Sequence, residues 1–193
     1  MIFTANSEAN FKLGKDYGSL SRPLPIKQDG VVDVIEVFWY GCGHCFNLAP
    51  AVSSWSKKKD SSVSFQKMPV TWGPVHQLHA KLFYTIEALG IGETGHTAVF
   101  TAIHKEGNFL SSDGAILDFL EKLGMDRSET IKYMNSFSVR QKVKRAIEIS
   151  KQFKVTATPM MFVDGQYRVE AKGGSSKMLK VVDHVIELQK PIS

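Results

Sequence analysis

Two cysteines separated by two residues follow closely on an apolar run, and this stretch limits the possible folds more than any other in the chain. The run from Val34 to Tyr40 is rich in β-branched and aromatic residues, which predicts a buried strand. The segment Phe46–Trp55 carries apolar side chains at helical spacing, which predicts a helix with one face in a core. Cys42 and Cys45 therefore lie where a strand gives way to the first turn of a helix.

This position predicts the chemistry of the cysteine pair. Backbone N–H groups in the first turn of a helix have no partner within the helix, and the helix dipole favours negative charge there. A cysteine at that point is stabilised as the thiolate, which is the reactive form of the side chain. We therefore expect dithiol–disulfide chemistry at Cys42 and Cys45.

Two other interpretations of the cysteine pair are weaker. The pair could be half of a zinc site, but a complete structural site needs about four nitrogen or sulfur ligands. The chain has only two cysteines, and the His76/His79 pair is predicted on a separate helix. A purely structural disulfide across two residues would close almost no loop and so would constrain the unfolded chain little. We expect neither a metal nor a cofactor.

Length and composition exclude several classes of protein. The 193 residues, 43% hydrophobic and 22% charged, suit a soluble globular chain, and no apolar run approaches the roughly 20 residues that cross a bilayer. The net charge of +5 has no basic stripe interleaved with aromatic residues, so we expect no binding to nucleic acid. The first residues lack the basic and apolar regions of a secretory signal. Either the protein works in the cytosol or a signal has been removed.

A second motif lies far along the chain. Thr158-Pro159 directly precedes another apolar run, and together with the strand–Cys-x-x-Cys–helix arrangement it resembles the thioredoxin fold. The long segment between the two motifs has helical periodicity, and a thioredoxin fold with such an insertion resembles the DsbA family of bacterial periplasmic thiol oxidases. Further similar segments are Gly14-Lys15-Asp16-Tyr17, Glu36-x-Phe38, Asn135-Ser136-Phe137 and Met161-Phe162-Val163-Asp164-Gly165.

The resemblance implies a fold class and a division of the chain. It implies an α/β protein, a thioredoxin fold with an inserted all-helical domain. Residues 1–70 and 139–193 would form the two parts of the thioredoxin-like domain, and residues 71–138 the helical insertion.

The resemblance also implies the roles of individual residues. Cys42 would be the exposed nucleophile and Cys45 its buried partner, with Pro159 in the cis form beside them and the backbone of Thr158 facing the substrate. Glu36 matches a buried acid beneath the family's active site, and Lys67 matches a lysine near it.

Elementary electrostatics supports pairing of the last two residues. A carboxylate in an apolar strand is unfavourable unless it is paired or protonated, so we expect Glu36 to pair with Lys67. The alternative is that Glu36 faces solvent at a strand edge.

The residues around the cysteines depart from the usual DsbA pattern. Gly43-His44 stands where that family commonly has Pro-His, and it is similar to eukaryotic protein disulfide isomerase. Thr158 is typical of isomerases and reductases, whereas DsbA proteins often have Val. We expect His44 to add a donor or positive charge near the thiolate, although it could also be a simple exposed helix residue.

The function implied by the resemblance is donation of the Cys42–Cys45 disulfide to unfolded or partly folded cysteine-containing proteins. A DsbB-like membrane protein would reoxidise the dithiol, and the protein would be a periplasmic monomer whose signal peptide has been removed. An apolar groove beside Cys42 would hold the substrate peptide, with candidate lining residues Leu48, Val52, Ala171, Leu179 and Val182.

Three alternative functions use the same fold. An isomerase or a reductase would use the same site. An enzyme of the kappa glutathione transferase type, or a peptide-binding module without redox activity, would have no need of the intact cysteine pair.

Overall fold

The computed structural model describes residues 11–25 and 29–190. Five strands form one sheet in the order β1-β5-β4-β2-β3, in which β2 and β3 run parallel and the other neighbours run antiparallel. The elements in chain order are β1 (Gly18–Ser19), β2 (Val32–Phe38), α1 (Gly43–Ser56), β3 (Val63–Pro69), α2 (Pro74–Ala88), α3 (Gly92–His104), α4 (Asp113–Lys122), α5 (Arg127–Met134), α6 (Phe137–Gln152), β4 (Met160–Val163), β5 (Tyr167–Glu170) and α7 (Ser175–Gln189). The predicted α/β plan is confirmed.

The middle strands of the sheet are buried on both faces. Along β2, Val34 and Val37 are fully buried on opposite faces, as the continuous apolar run predicts for a central strand. Helices α1 and α7 cover the face that holds Val34, and α6 covers the face that holds Val37. This sandwich fixes the end of β2, from which the cysteine motif continues.

Helices α2 to α5 form a third packed region beyond that end of β2. Their apolar side chains share one core cluster with Phe38, Tyr40 and Cys45. The predicted insertion therefore contacts the residues that lead into the cysteine motif. Its boundaries at 71 and 138 remain a prediction.

The turn between β4 and β5 has the backbone geometry that its Asp164-Gly165 sequence favours. Asp164 and Gly165 have φ angles of 55° and 61°, and positive φ at both central residues is the geometry of a type I′ hairpin turn. The turn brings β5 back beside β4, with Phe162 opposite Arg168.

No helix within residues 11–25 and 29–190 is long and apolar enough to span a membrane. The expectation about a signal sequence concerns Met1–Asn6, which lie outside the described residues.

Candidate active site

Cys42 caps the N-terminus of α1. Its backbone is extended, with φ −88° and ψ 113°, and the helix begins at Gly43. The Cys45 N–H donates to Cys42 Sγ at 3.4 Å, so the sulfur takes the place that a Ser or Asp oxygen holds in an ordinary helix cap. The Cys42 N–H donates to Trp39 O at 3.0 Å and closes the turn from β2.

The two thiols have opposite pKa shifts. The pKa of Cys42 is lowered to about 5, first by a hydrogen bond from the Cys45 thiol and further by the side chain of Thr158 and the N–H groups of Cys45 and His44, although partial burial opposes the shift. The pKa of Cys45 is raised, because its proton is held by Cys42 and because the side chain is 1% exposed. At neutral pH this pair therefore holds one proton, on the inner sulfur.

The Thr158–Pro159 bond faces the cysteine motif and is cis, which confirms the prediction for Pro159. The Cys42 thiol donates to Thr158 O at 3.6 Å, and in the thiolate form the Thr158 side chain stabilises the charge on the sulfur. Strand β4 starts directly after the proline and pairs with β2, which brings the two motifs together.

Glu36 and Lys67 lie opposite each other in β2 and β3. They do not form an ion pair, so the prediction that they would is wrong. The Lys67 ammonium is 2.7 Å from Glu93 Oε2, on the first turn of α3. Glu36 is 2% exposed, and its Oε2 has no hydrogen-bond partner within the part of the chain that the structure describes. Burial raises the pKa of Glu36 to about 7, against the attraction of Lys67.

Lys67 does not pair with Glu36 because its ammonium group reaches the more exposed carboxylate of Glu93. Its long side chain reaches an accessible carboxylate, where both charges keep part of their hydration, and burying an ion pair beside Glu36 would remove that hydration. Nothing in the local sequence around Glu93 marks it as the partner of Lys67.

Gly43 and His44 are both exposed. A Cβ added at Gly43 would meet nothing within 4 Å, so close packing does not require glycine there. His44 stabilises the Cys42 thiolate through its backbone N–H. The proposed contribution of the His44 ring remains a prediction.

The predicted substrate groove is corrected at four of its five positions. Leu48, Val52, Leu179 and Val182 are at most 9% exposed and belong to the core between α1, α7 and the sheet, so they do not line an open groove. Apolar side chains at helical spacing lie on the face that packs, and here α1 and α7 cover each other. Ala171 is partly exposed and remains a candidate.

An open cleft of about 790 Å³ lies instead between α1 and α3. Residues of both helices line it, including Phe46, Ala49, Pro50, Ala98 and Phe100.

Known proteins are similar to this chain over nearly its whole length. A family model described as a DSBA-like thioredoxin domain matches residues 74–185. Two relatives are thiol:disulfide interchange proteins DsbA. That of Azotobacter vinelandii is 35% identical, over 95% of this chain and 87% of the relative, and that of Pseudomonas aeruginosa is 36% identical, over 94% and 87%. The crystal structure of Pseudomonas aeruginosa DsbA superposes with a TM-score of 0.88, covering 93% of this chain and 94% of that chain at 36% identity.

Proposed function

The chain belongs to the DsbA family of thiol:disulfide oxidoreductases, and we propose that Cys42 and Cys45 form the disulfide that it donates to substrate proteins. The observation that supports these roles is the difference between the two thiols. Cys42 is half-buried with a pKa of about 5, whereas Cys45 is buried with a raised pKa. A sulfur with a low pKa is a good leaving group, and it stays a thiolate at neutral pH.

The transfer proceeds through a mixed disulfide. A substrate thiolate attacks Cys42 Sγ, the Cys42–Cys45 bond breaks, and Cys45 leaves with the electron pair and takes up a proton. The second substrate thiolate then attacks the substrate sulfur of the mixed disulfide, and Cys42 leaves as a thiolate. The substrate dithiol loses two electrons and two protons; one proton stays on Cys45, the other passes to solvent, and the protein gains the two electrons as a thiolate–thiol pair.

The donors around Cys42 drive the reaction in this direction. They stabilise the thiolate that is present only in the reduced protein, so they favour reduction of the protein and oxidation of the substrate. Each pKa unit of this stabilisation corresponds to about 1.4 kcal/mol, or roughly 30 mV in a two-electron couple. The Thr158 side chain is one of these donors, so its presence supports the oxidising direction.

Alkylation of the reduced protein at pH 5 tests the two roles. Brief treatment with iodoacetamide followed by mass spectrometry should place one label on Cys42, because that thiol is partly ionised at this pH and Cys45 is protonated and buried. The same protein in denaturant is the control, in which both cysteines should react slowly and at similar rates. Equal labelling in the folded protein, or labelling of Cys45 first, would overturn the assignment.

An isomerase or a reductase would use the same sulfurs at a lower potential. Equilibration with glutathione separates these functions, because a strong oxidant is reduced at low thiol concentration and a reductase is not.

Family membership supports the remaining proposals about cellular context. We propose that the substrates are folding proteins with unpaired cysteines, and that a DsbB-like membrane protein reoxidises the Cys42–Cys45 dithiol. We also propose that the protein acts in the periplasm as a monomer. Removal of the membrane partner from cells should make the reduced form accumulate, and light scattering of the purified protein should give the mass of one chain.

A further inference from the structure

Three histidines of the helical region bind the two residues that lead into the catalytic turn. His79 of α2 contacts Trp39, and His96 and His104 of α3 contact Tyr40. We propose that these three, here called the histidine clamp, are positioning residues that hold the turn from Trp39 to Cys42 in the geometry needed for disulfide exchange. This inference rests on the proposed function of Cys42.

His79 holds the indole ring of Trp39 from one side. The Trp39 Nε1–H donates to His79 Nδ1 at 3.2 Å, and His79 Nε2 lies 3.0 Å from Phe109 O. An indole N–H only donates and a carbonyl only accepts, so His79 must be neutral with its proton on Nε2. The ring is fully buried, and burial lowers its pKa, which agrees with a neutral state. Both ring nitrogens are therefore used in fixing the position of Trp39.

Trp39 in turn constrains the catalytic turn. Its ring lies against Gly41 so closely that a Cβ added there would be 2.5 Å from the ring. Its carbonyl accepts the hydrogen bond from the Cys42 N–H. A displacement of the indole ring would therefore be transmitted to the residue that carries the reactive sulfur.

Tyr40 is held at both its ends. Its hydroxyl lies 3.0 Å from His96 Nδ1, inside the core cluster of the helical region. Its carbonyl lies 2.7 Å from His104 Nε2, which must carry a proton because a carbonyl only accepts. The His104 ring also stacks on Phe46, with the two centroids 4.8 Å apart, and the Phe46 N–H donates to Cys42 O at 3.0 Å.

The clamp matters because the Cys42 thiolate depends on the direction of its donors. The N–H groups of His44 and Cys45 reach the sulfur only while Cys42 keeps its capping conformation. A loosened turn would weaken these hydrogen bonds on average. The thiolate would then be less stable, and the disulfide less oxidising.

Two substitutions of His104 separate the hydrogen bond from the ring stack. His104→Phe keeps an aromatic ring against Phe46 and removes the donor to Tyr40 O, whereas His104→Gln keeps a donor near the same place and removes the ring. The measurement is the Cys42 pKa, followed through the ultraviolet absorbance of its thiolate. We expect His104→Phe to raise the Cys42 pKa by about one, which is a tenfold loss of thiolate at low pH. We expect His104→Gln to leave the Cys42 pKa close to that of the wild type.

Further variants control for folding and for the loss of a histidine. His184→Phe removes a histidine that packs on Phe11 and Tyr17, remote from the clamp, and should leave the Cys42 pKa unchanged. Tyr40→Phe removes only the hydroxyl that faces His96 and should give a smaller rise than His104→Phe. It therefore keeps the proposal testable if His104→Phe does not fold.

The possible outcomes distinguish the clamp from the proposed function. An unchanged Cys42 pKa in folded His104→Phe or Tyr40→Phe would overturn the clamp alone, as would a shift in His104→Gln as large as that in His104→Phe. A wild-type Cys42 that titrates like an ordinary thiol would overturn the proposed function and the clamp with it.

Discussion

The first turn of α1 and the middle of the β2–β3 pair each withdraw an ionisable side chain from bulk water, but they shift its pKa in opposite directions. At the helix start the pKa of Cys42 falls to about 5, because the Cys45 thiol, the Thr158 side chain and two backbone N–H groups donate to the sulfur. In the sheet the pKa of Glu36 rises to about 7, because burial dominates and Lys67 binds Glu93 instead.

This difference follows from the donors around each group as well as from its depth of burial. Cys42 stays partly buried and ionised because its donors replace the hydration that it loses. One oxygen of Glu36 lacks any donor within residues 11–25 and 29–190, so its charged form is disfavoured. Each of the following predictions tests one side of this comparison.

The largest expected effect is on the stability of the reduced protein. The folded pKa of Cys42, about 5, lies below the ordinary thiol value, so the reduced form gains stability that is fully present above the unfolded pKa and is lost as the pH falls through about 5. The disulfide form has no such contribution, and its short loop adds little. We expect the reduced protein to melt several degrees higher at pH 7, at roughly 2–4 °C per kcal/mol, with the difference disappearing at pH 4.

Paired thermal melts with and without reductant measure this difference. Because Cys42 is partly exposed, water screens its interactions, and the gain should be smaller than the full pKa shift suggests. A Cys42→Ser variant is the control, since its melting temperature should not respond to reductant. A higher melting temperature for the oxidised wild type at pH 7 would contradict the stabilised thiolate.

Glu36→Gln should have an effect of similar size, because the wild-type Glu36 carboxylate destabilises the protein as the pH rises, whereas the Cys42 thiolate stabilises it. The folded pKa of about 7 lies above the ordinary value of 4.5, so the wild type is destabilised progressively as the pH rises between these values, and fully above 7. Replacing the carboxyl group should stabilise the protein by up to about 3 kcal/mol at pH 8 and have little effect at pH 4.

Urea unfolding at the two pH values would measure the effect of Glu36→Gln. Glu187→Gln, at an exposed position in α7, provides a matched control that should change stability little at either pH. A Glu36→Gln protein that is less stable than wild type at pH 8 would show that the carboxylate has a stabilising partner after all.

The smallest expected effect comes from Thr158→Val. The valine lacks the hydroxyl that stabilises the Cys42 thiolate, so the pKa of Cys42 should rise by roughly 0.5, about the contribution of one modest hydrogen bond. Thiolate absorbance during a pH titration would measure it. Thr156→Val, on the exposed part of the same loop, should leave the titration unchanged, and a fall in the Cys42 pKa in Thr158→Val would contradict the role of the hydroxyl.

Local patterns in the sequence were sufficient to predict most of the secondary structure. The run before Cys42 and the spacing of apolar residues in the helices each depend on neighbours along the chain, and each has the expected structure. Ser112 caps α4, although Asp113 also suits a cap, and only the backbone geometry selects between them.

Contacts between distant segments could not be predicted in the same way. Helical spacing shows that Leu48 and Val52 face a core, but only the packing of α7 shows that they are covered. Lys67 pairs with Glu93 because α3 brings that residue to the edge of β3, which no pattern near either residue indicates. The histidine clamp likewise joins three side chains to Trp39 and Tyr40 from across the fold.

The redox potential of the Cys42–Cys45 couple, measured by equilibration with glutathione, tests most directly whether the helix start stabilises a thiolate and thereby makes the disulfide oxidising. We predict a potential above the roughly −180 mV of protein disulfide isomerase, together with a Cys42 pKa near 5 in the same preparation. A potential at or below about −270 mV, the value for thioredoxin, would contradict this explanation.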